Sequence, residues 1–121
     1  MKFMVVDDSN VMRRKITRAV AKVGINDVIG AENGIEALSL FRSEKPNFVT
    51  MDITMPEMDG VECIKQLMKE DPSVLILVVS AVSNKTTTME ALNNGARGFI
   101  QKPFDDDKLN DAIRQILADA V

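Results

Sequence analysis

The stretch Phe48-Val49-Thr50-Met51-Asp52-Ile53-Thr54-Met55-Pro56-Glu57-Met58-Asp59-Gly60 sets the reading of the whole chain. Its first four residues are a continuous apolar or β-branched run, as expected of a strand covered on both faces. An acid closes the run at Asp52, and Pro56 with Asp59-Gly60 announces a turn. Val61, Ile64, Leu67 and Met68 then recur at helical spacing until Asp71-Pro72 stops them. The stretch and its continuation make one βα unit.

Working outward, the same unit repeats. Phe3 to Val6 and the weaker Val28-Ile29 precede it, and Val74 to Val79 and Phe99-Ile100 follow. Met12, Ile16, Ala19, Val20 and Val23 form a helical stripe ended by Gly24. Asn33 and Glu36 have capping-box spacing before Ala37, Leu38 and Phe41, and Pro46 bars continuation. Thr88, Ala91 and Leu92 suggest a shorter fourth helix ended by Gly95, weakened by the β-branched run Thr86-Thr87-Thr88. Asp105 is placed to cap a last helix whose inward face carries Leu109, Ala112, Ile113, Ile116 and Leu117. The expected fold is therefore α/β: a doubly wound, five-stranded parallel sheet with five helices, flavodoxin-like in class. With no repeat, low-complexity tract or composition break, residues 1–121 are expected to form a single domain.

Composition narrows the function. The chain is 45% apolar and 27% charged, which describes a globular protein rather than a disordered one. A net charge of −3 argues against a nucleic-acid footprint. The cations of the first helix, Arg13, Arg14, Lys15, Arg18 and Lys22, are expected to form a solvated face. A lone cysteine, Cys63, permits no internal disulfide, and the lack of histidine removes the usual zinc chemistry. Cys63 itself reads as a small helix residue rather than a nucleophile. Met4, Met51 and Met68 read as core, while Met55 and Met58 belong to the loop after Asp52. The run Val74 to Val79 is too short to span a bilayer, and acids at Asp7 and Asp8 interrupt any signal-peptide core, so a cytoplasmic location is expected.

In a sheet of this kind the ligand site lies beyond the carboxyl ends of the strands. Asp7 and Asp8 follow the first strand, Asp52 ends the third, Ser80 the fourth and Lys102 the fifth. Each residue alone has an ordinary structural reading: a helix cap, a turn, a satisfied hydroxyl, a solvated lysine. Together they form a site. Crowded carboxylates require a compensating cation, and an all-oxygen ligand set suits Mg²⁺ or Mn²⁺. A carboxylate beside such an ion can attack phosphorus and form an aspartyl-phosphate, with Lys102 neutralising charge on the phosphoryl oxygens.

Val5-Val6-Asp7-Asp8-Ser9, Met51 to Gly60, Val79-Ser80-Ala81, Asn94-Gly95-Ala96 and Phe99-Ile100-Gln101-Lys102-Pro103-Phe104 resemble the response-regulator receiver domain over essentially its full length. The resemblance is to the stand-alone, CheY-like chemotaxis type. It implies that Asp52 is the phosphoacceptor, served by the phosphohistidine of a sensor kinase. It further implies that Asp8 and Asp52 bind Mg²⁺ directly, Asp7 through metal-bound water, and Thr54 through its backbone carbonyl. Ser80 and Lys102 would contact the phosphoryl group, and the Lys102-Pro103 peptide would be cis. Ser80 and Phe99 would form the switch: Ser80 moves toward the phosphoryl group and the ring at position 99 turns from exposed to buried. Phe99 stands where many receivers carry Tyr, so its inward state lacks a phenolic hydrogen bond. Residues 54 and 82, here Thr54 and Val82, would set the phosphoryl lifetime.

The function so implied is a phosphorylation-dependent switch of a two-component system. It would change the surface of the fourth helix, fifth strand and fifth helix to bind a protein, such as a flagellar motor switch protein. Two alternatives are a phosphorelay intermediate serving a histidine phosphotransfer protein and a receiver fragment of a larger transcriptional regulator. With no output domain after the last helix, a stand-alone monomer without nucleic-acid or membrane partners is expected. An aspartyl-phosphate phosphatase typically has a second acid two residues after the nucleophile; that place holds Thr54. The chain therefore reads as a protein that catalyses only its own phosphotransfer and dephosphorylation, not as an enzyme acting on external substrates.

Overall fold

A computed structural model describes residues 1–55, 58–81 and 85–120. Strands and helices alternate: β1 (Lys2–Val6), α1 (Asn10–Ala21), β2 (Asp27–Ala31), α2 (Gly34–Glu44), β3 (Phe48–Met51), α3 (Gly60–Glu70), β4 (Leu75–Ser80), α4 (Lys85–Asn93), β5 (Gly98–Gln101) and α5 (Asp106–Asp119). All pairings are parallel, in the order β2-β1-β3-β4-β5. This is the known flavodoxin-like order, which receiver domains share, with its switch point between β1 and β3.

Because side chains alternate along a strand, each strand feeds two cores. Phe3, Val5, Phe48, Leu77, Val79 and Ile100 pack with Ile16, Ala19 and Val20 of α1 and Leu109, Ile113 and Ile116 of α5. Met4, Val6, Val49, Met51, Ile76 and Val78 pack on the other side with Ala37 and Phe41 of α2, Ile64 and Leu67 of α3 and Ala91 of α4. The Phe3 and Phe48 rings stack at 5.2 Å across neighbouring strands. The two edge strands break the continuous burial: in β2 only Ala31 is fully covered, and in β5 only Ile100 is buried. That explains why so little of either reads as a strand in the sequence.

The helix starts are held by side-chain caps. Ser9, Asn33, Asp59 and Asp105 accept from the backbone N–H groups of Met12, Glu36, Glu62 and Lys108. Each such cap contributes roughly 1 kcal/mol. Gly24 (φ +88°) and Gly95 (φ +120°) take the left-handed turns that follow α1 and α4.

Two local expectations are corrected. Leu92 does not face the core of α4: it is exposed, and Ala91 is that helix's buried residue. The α1 cation set is solvated at Arg14, Arg18 and Lys22, which are exposed, but Arg13 and Lys15 are half-buried. Arg13 donates to the Asp7 carbonyl at 2.7 Å, Lys15 to the Phe104 carbonyl at 2.7 Å, and Lys22 to Asp106 at 2.6 Å. The cause is proximity, because the β1–α1 turn and the start of α5 bring acceptors within reach of long side chains.

Candidate phosphorylation site

The backbone carries the site on the rim of the sheet. The Asp7 N–H donates to the Ala31 carbonyl at 3.0 Å, the Asp52 N–H to Val6 at 3.0 Å and the Lys102 N–H to Ser80 at 2.9 Å. Each bond extends a strand ladder by one residue, so three charged residues are held by the sheet's own hydrogen bonds. β1 and β3 flank the switch point, and Asp7, Asp8 and Asp52 converge there. One carboxylate oxygen from each lies within 4.8 Å of the others.

Both buried acids are oriented by their own turns. Asp7 Oδ1 accepts from the Ser9 N–H at 2.9 Å, and Asp52 Oδ1 from the Thr54 N–H at 3.1 Å. Any non-proline residue offers such an amide, so these Asx turns are seen in the structure rather than in the spacing. Each second oxygen turns to Lys102, whose Nζ lies 2.7 Å from Asp7 Oδ2 and 3.7 Å from Asp52 Oδ2. Asp8 is exposed, whereas Asp7 and Asp52 are buried. Gly60 permits this arrangement at the start of α3. A Cβ there would stand 2.4 Å from the Asp52 carbonyl oxygen and the Ile53 Cα, so only glycine lets α3 approach so closely.

The electrostatics are unbalanced. Burial pushes the Asp52 carboxyl above its ordinary value, against the Thr54 N–H and Lys102, which pull it down; the charges of Asp7 and Asp8 push it further up. A hard divalent cation would relieve this repulsion, and the all-oxygen donor set fits Mg²⁺.

Ser80 and Phe99 sit deeper. Ser80 is fully buried at the end of β4, and Phe99 is half-buried on β5 against the core that includes α2, α3 and α4. Phe99 pairs with Val78 and Gln101 with Ser80, which puts Phe99 and Ser80 on one sheet face as diagonal neighbours. The Phe99 ring borders a groove with Lys85, Thr88, Met89 and Gln101. The Lys102-Pro103 peptide is cis. Val82 lies outside the described residues, as do Pro56 and Glu57 of the loop motif.

Cys63 is fully buried in α3, with its Sγ 3.8 Å from the Gly34 carbonyl. Burial, with Asp59 and Glu62 nearby, pushes its thiol up to about 12, which leaves it an inert packing residue. Met4 and Met51 are fully buried; Met55, Met58 and Met68 are half-buried against the same core.

A crowded acid site at the switch point of a 2-1-3-4-5 sheet, with a lysine across it, is the arrangement of a receiver. The family model for the response regulator receiver domain matches residues 3–114, and the chain belongs to that family. It is 40% identical over 115 residues to the chemotaxis protein CheY of Listeria monocytogenes, covering 95% of this chain and 97% of that protein. It is 38% identical over 116 residues to CheY of Bacillus subtilis, covering 96% and 97% respectively. Its structure is similar to the solved CheX–CheY–BeF3–Mg complex of Borrelia burgdorferi, with a TM-score of 0.93 and 29% identity, over 97% of this chain and 89% of that one. Among the described residues, no helix is long and apolar enough to cross a membrane.

Proposed function

We propose that residues 1–121 act as one receiver domain, a switch set by phosphorylation of Asp52 in a chemotaxis two-component pathway. The observation that carries this reading is the convergence of Asp7, Asp8 and Asp52 within 4.8 Å, with Lys102 reaching two of them. An Asp52 carboxylate oxygen attacks the phosphorus of a kinase phosphohistidine. The new O–P bond forms as the N–P bond breaks, and the electron pair and a proton stay with the imidazole. Asp7, Asp8, Asp52 and the Thr54 carbonyl would hold Mg²⁺, which supplies charge neutralisation for the phosphoryl oxygens. Lys102 adds a second positive charge and moves from Asp7 toward the phosphoryl oxygens.

The product places charge and strong acceptors at the rim. Ser80 answers by turning its hydroxyl toward them, and the space it leaves lies on the sheet face that Phe99 shares. The Phe99 ring then moves inward and reshapes the groove against α4. Phosphorylation shifts output only through its differential stabilisation of that arrangement. The relatives named for chemotaxis support a cytoplasmic signalling role, with a sensor kinase upstream and a protein such as the flagellar motor switch downstream.

A pulldown with and without beryllofluoride and Mg²⁺ tests the output. Capture of motor switch protein only with the mimic supports the reading. Preferential capture of a histidine phosphotransfer protein points instead to a phosphorelay. Paired structures test the switch itself: an unmoved Phe99 ring defeats it.

A further inference from the structure

Lys102 must stand within reach of Asp52, yet the loop that carries it has few holds of its own. Its N–H is tied to the Ser80 carbonyl at 2.9 Å on the strand side. Beyond it, Pro103 has no N–H to give, and the next fixed point is the Asp105 cap that opens α5. Between these two points the Phe104 carbonyl receives the Lys15 ammonium at 2.7 Å, from a residue 89 positions away in α1. The same Nζ stands 4.4 Å over the Phe104 ring, which is buried in the core between α1 and α5. Lys15 therefore grips the backbone two residues beyond Lys102 by a charge-assisted hydrogen bond and a cation–π contact at once.

We infer that Lys15 is a positioning residue for phosphorylation: by holding Phe104 it fixes where the Lys102 ammonium stands between Asp7 and Asp52. The inference rests on Asp52 being the phosphoacceptor. Its force comes from small distances. Lys102 Nζ is 2.7 Å from one acid and 3.7 Å from the other, so a loop shift of that difference decides which it serves. Misplacement of a reacting group by about 1 Å can cost on the order of a hundredfold in rate, and slack in a supporting contact costs a part of that. Lys22 provides an internal control, since it too is an α1 lysine reaching across to a distant segment, here Asp106 of α5 at 2.6 Å, but on the far side of the Asp105 cap.

The test is phosphoryl uptake from acetyl phosphate with Mg²⁺, followed in the full chain for wild type and a set of lysine variants. Lys15→Met is expected to slow uptake by about fivefold, while Lys15→Arg, which keeps charge and donors, stays within about twofold of wild type. Lys22→Gln should be unchanged. In a Lys102→Ala background, Lys15→Met should add less than about twofold, because a residue acting through Lys102 has nothing left to position. Lys15→Gln stands in, alone and in that background, should the methionine variants fail to fold. Equal losses from the Lys15 and Lys22 variants overturn the inference, as do an additive loss in the Lys102→Ala background or normal uptake by Lys15→Met. If wild type itself takes up no phosphoryl group, the phosphoacceptor reading has failed instead, and the two failures are distinct.

Discussion

β5 is held very differently on its two faces. On one, Ile100 meets α5, which buries Leu109, Asn110, Ile113 and Ile116 and is tied to α1 by Lys22 and the Asn110 side chain on the Ala19 carbonyl, while Lys15 ties α1 to Phe104 in the loop before it. On the other, Phe99 is half-buried beside α4, which buries Ala91 alone. Lys102 continues from this strand into the loop tied to α1, while Phe99 looks toward the lightly anchored helix. The contrast separates two demands. Phosphotransfer needs positions held to fractions of an ångström, and a switch needs an element whose two arrangements differ little in free energy.

The largest expected effect tests that contrast directly. Ile113→Ala should cost about 2–5 kcal/mol of stability, as a buried truncation in a packed core does. Leu92→Ala on α4 should stay within about 0.5 kcal/mol. Chemical denaturation of both variants measures the pair, and equal costs would break the comparison. Next comes Lys102→Met. It leaves buried Asp7 without its cation and should lower stability by about 3 kcal/mol in metal-free buffer. Mg²⁺ should recover part of that loss, which a thermal shift with and without the ion would show.

A smaller effect has an unusual sign. The Asp52 carboxyl is raised in the folded protein, chiefly by burial. In metal-free protein its contribution to stability is therefore full below the ordinary carboxylate pKa and is lost as pH rises through the raised value. Asp52→Asn should accordingly be more stable than wild type at neutral pH, and the gap should close in acid. A pH series of melting temperatures in chelator measures it; a variant less stable at neutral pH contradicts the placement of the charge.

Much of this is legible in the sequence. β3 reads off as a strand because its run is continuous and closes on an acid, and the site residues read off because each ends a run. Helix faces were legible where the apolar stripe is broad, as in α1, α3 and α5. At α4 the stripe is narrow, and Leu92 and Ala91 could not be ranked by periodicity. Burial of Asn110, whose Oδ1 lacks a hydrogen-bond partner, and the reach of Arg13, Lys15 and Lys22 were not legible either. Spacing tells which face a side chain occupies, but only packing tells what stands across from it.

Mass-spectrometric mapping after incubation with acetyl phosphate and Mg²⁺ tests the central claim most directly. The account predicts one phosphoryl group, on Asp52, absent from Asp52→Asn and from wild type held in chelator. Undiminished uptake by Asp52→Asn, or a phosphoryl group mapped to another residue, would contradict it.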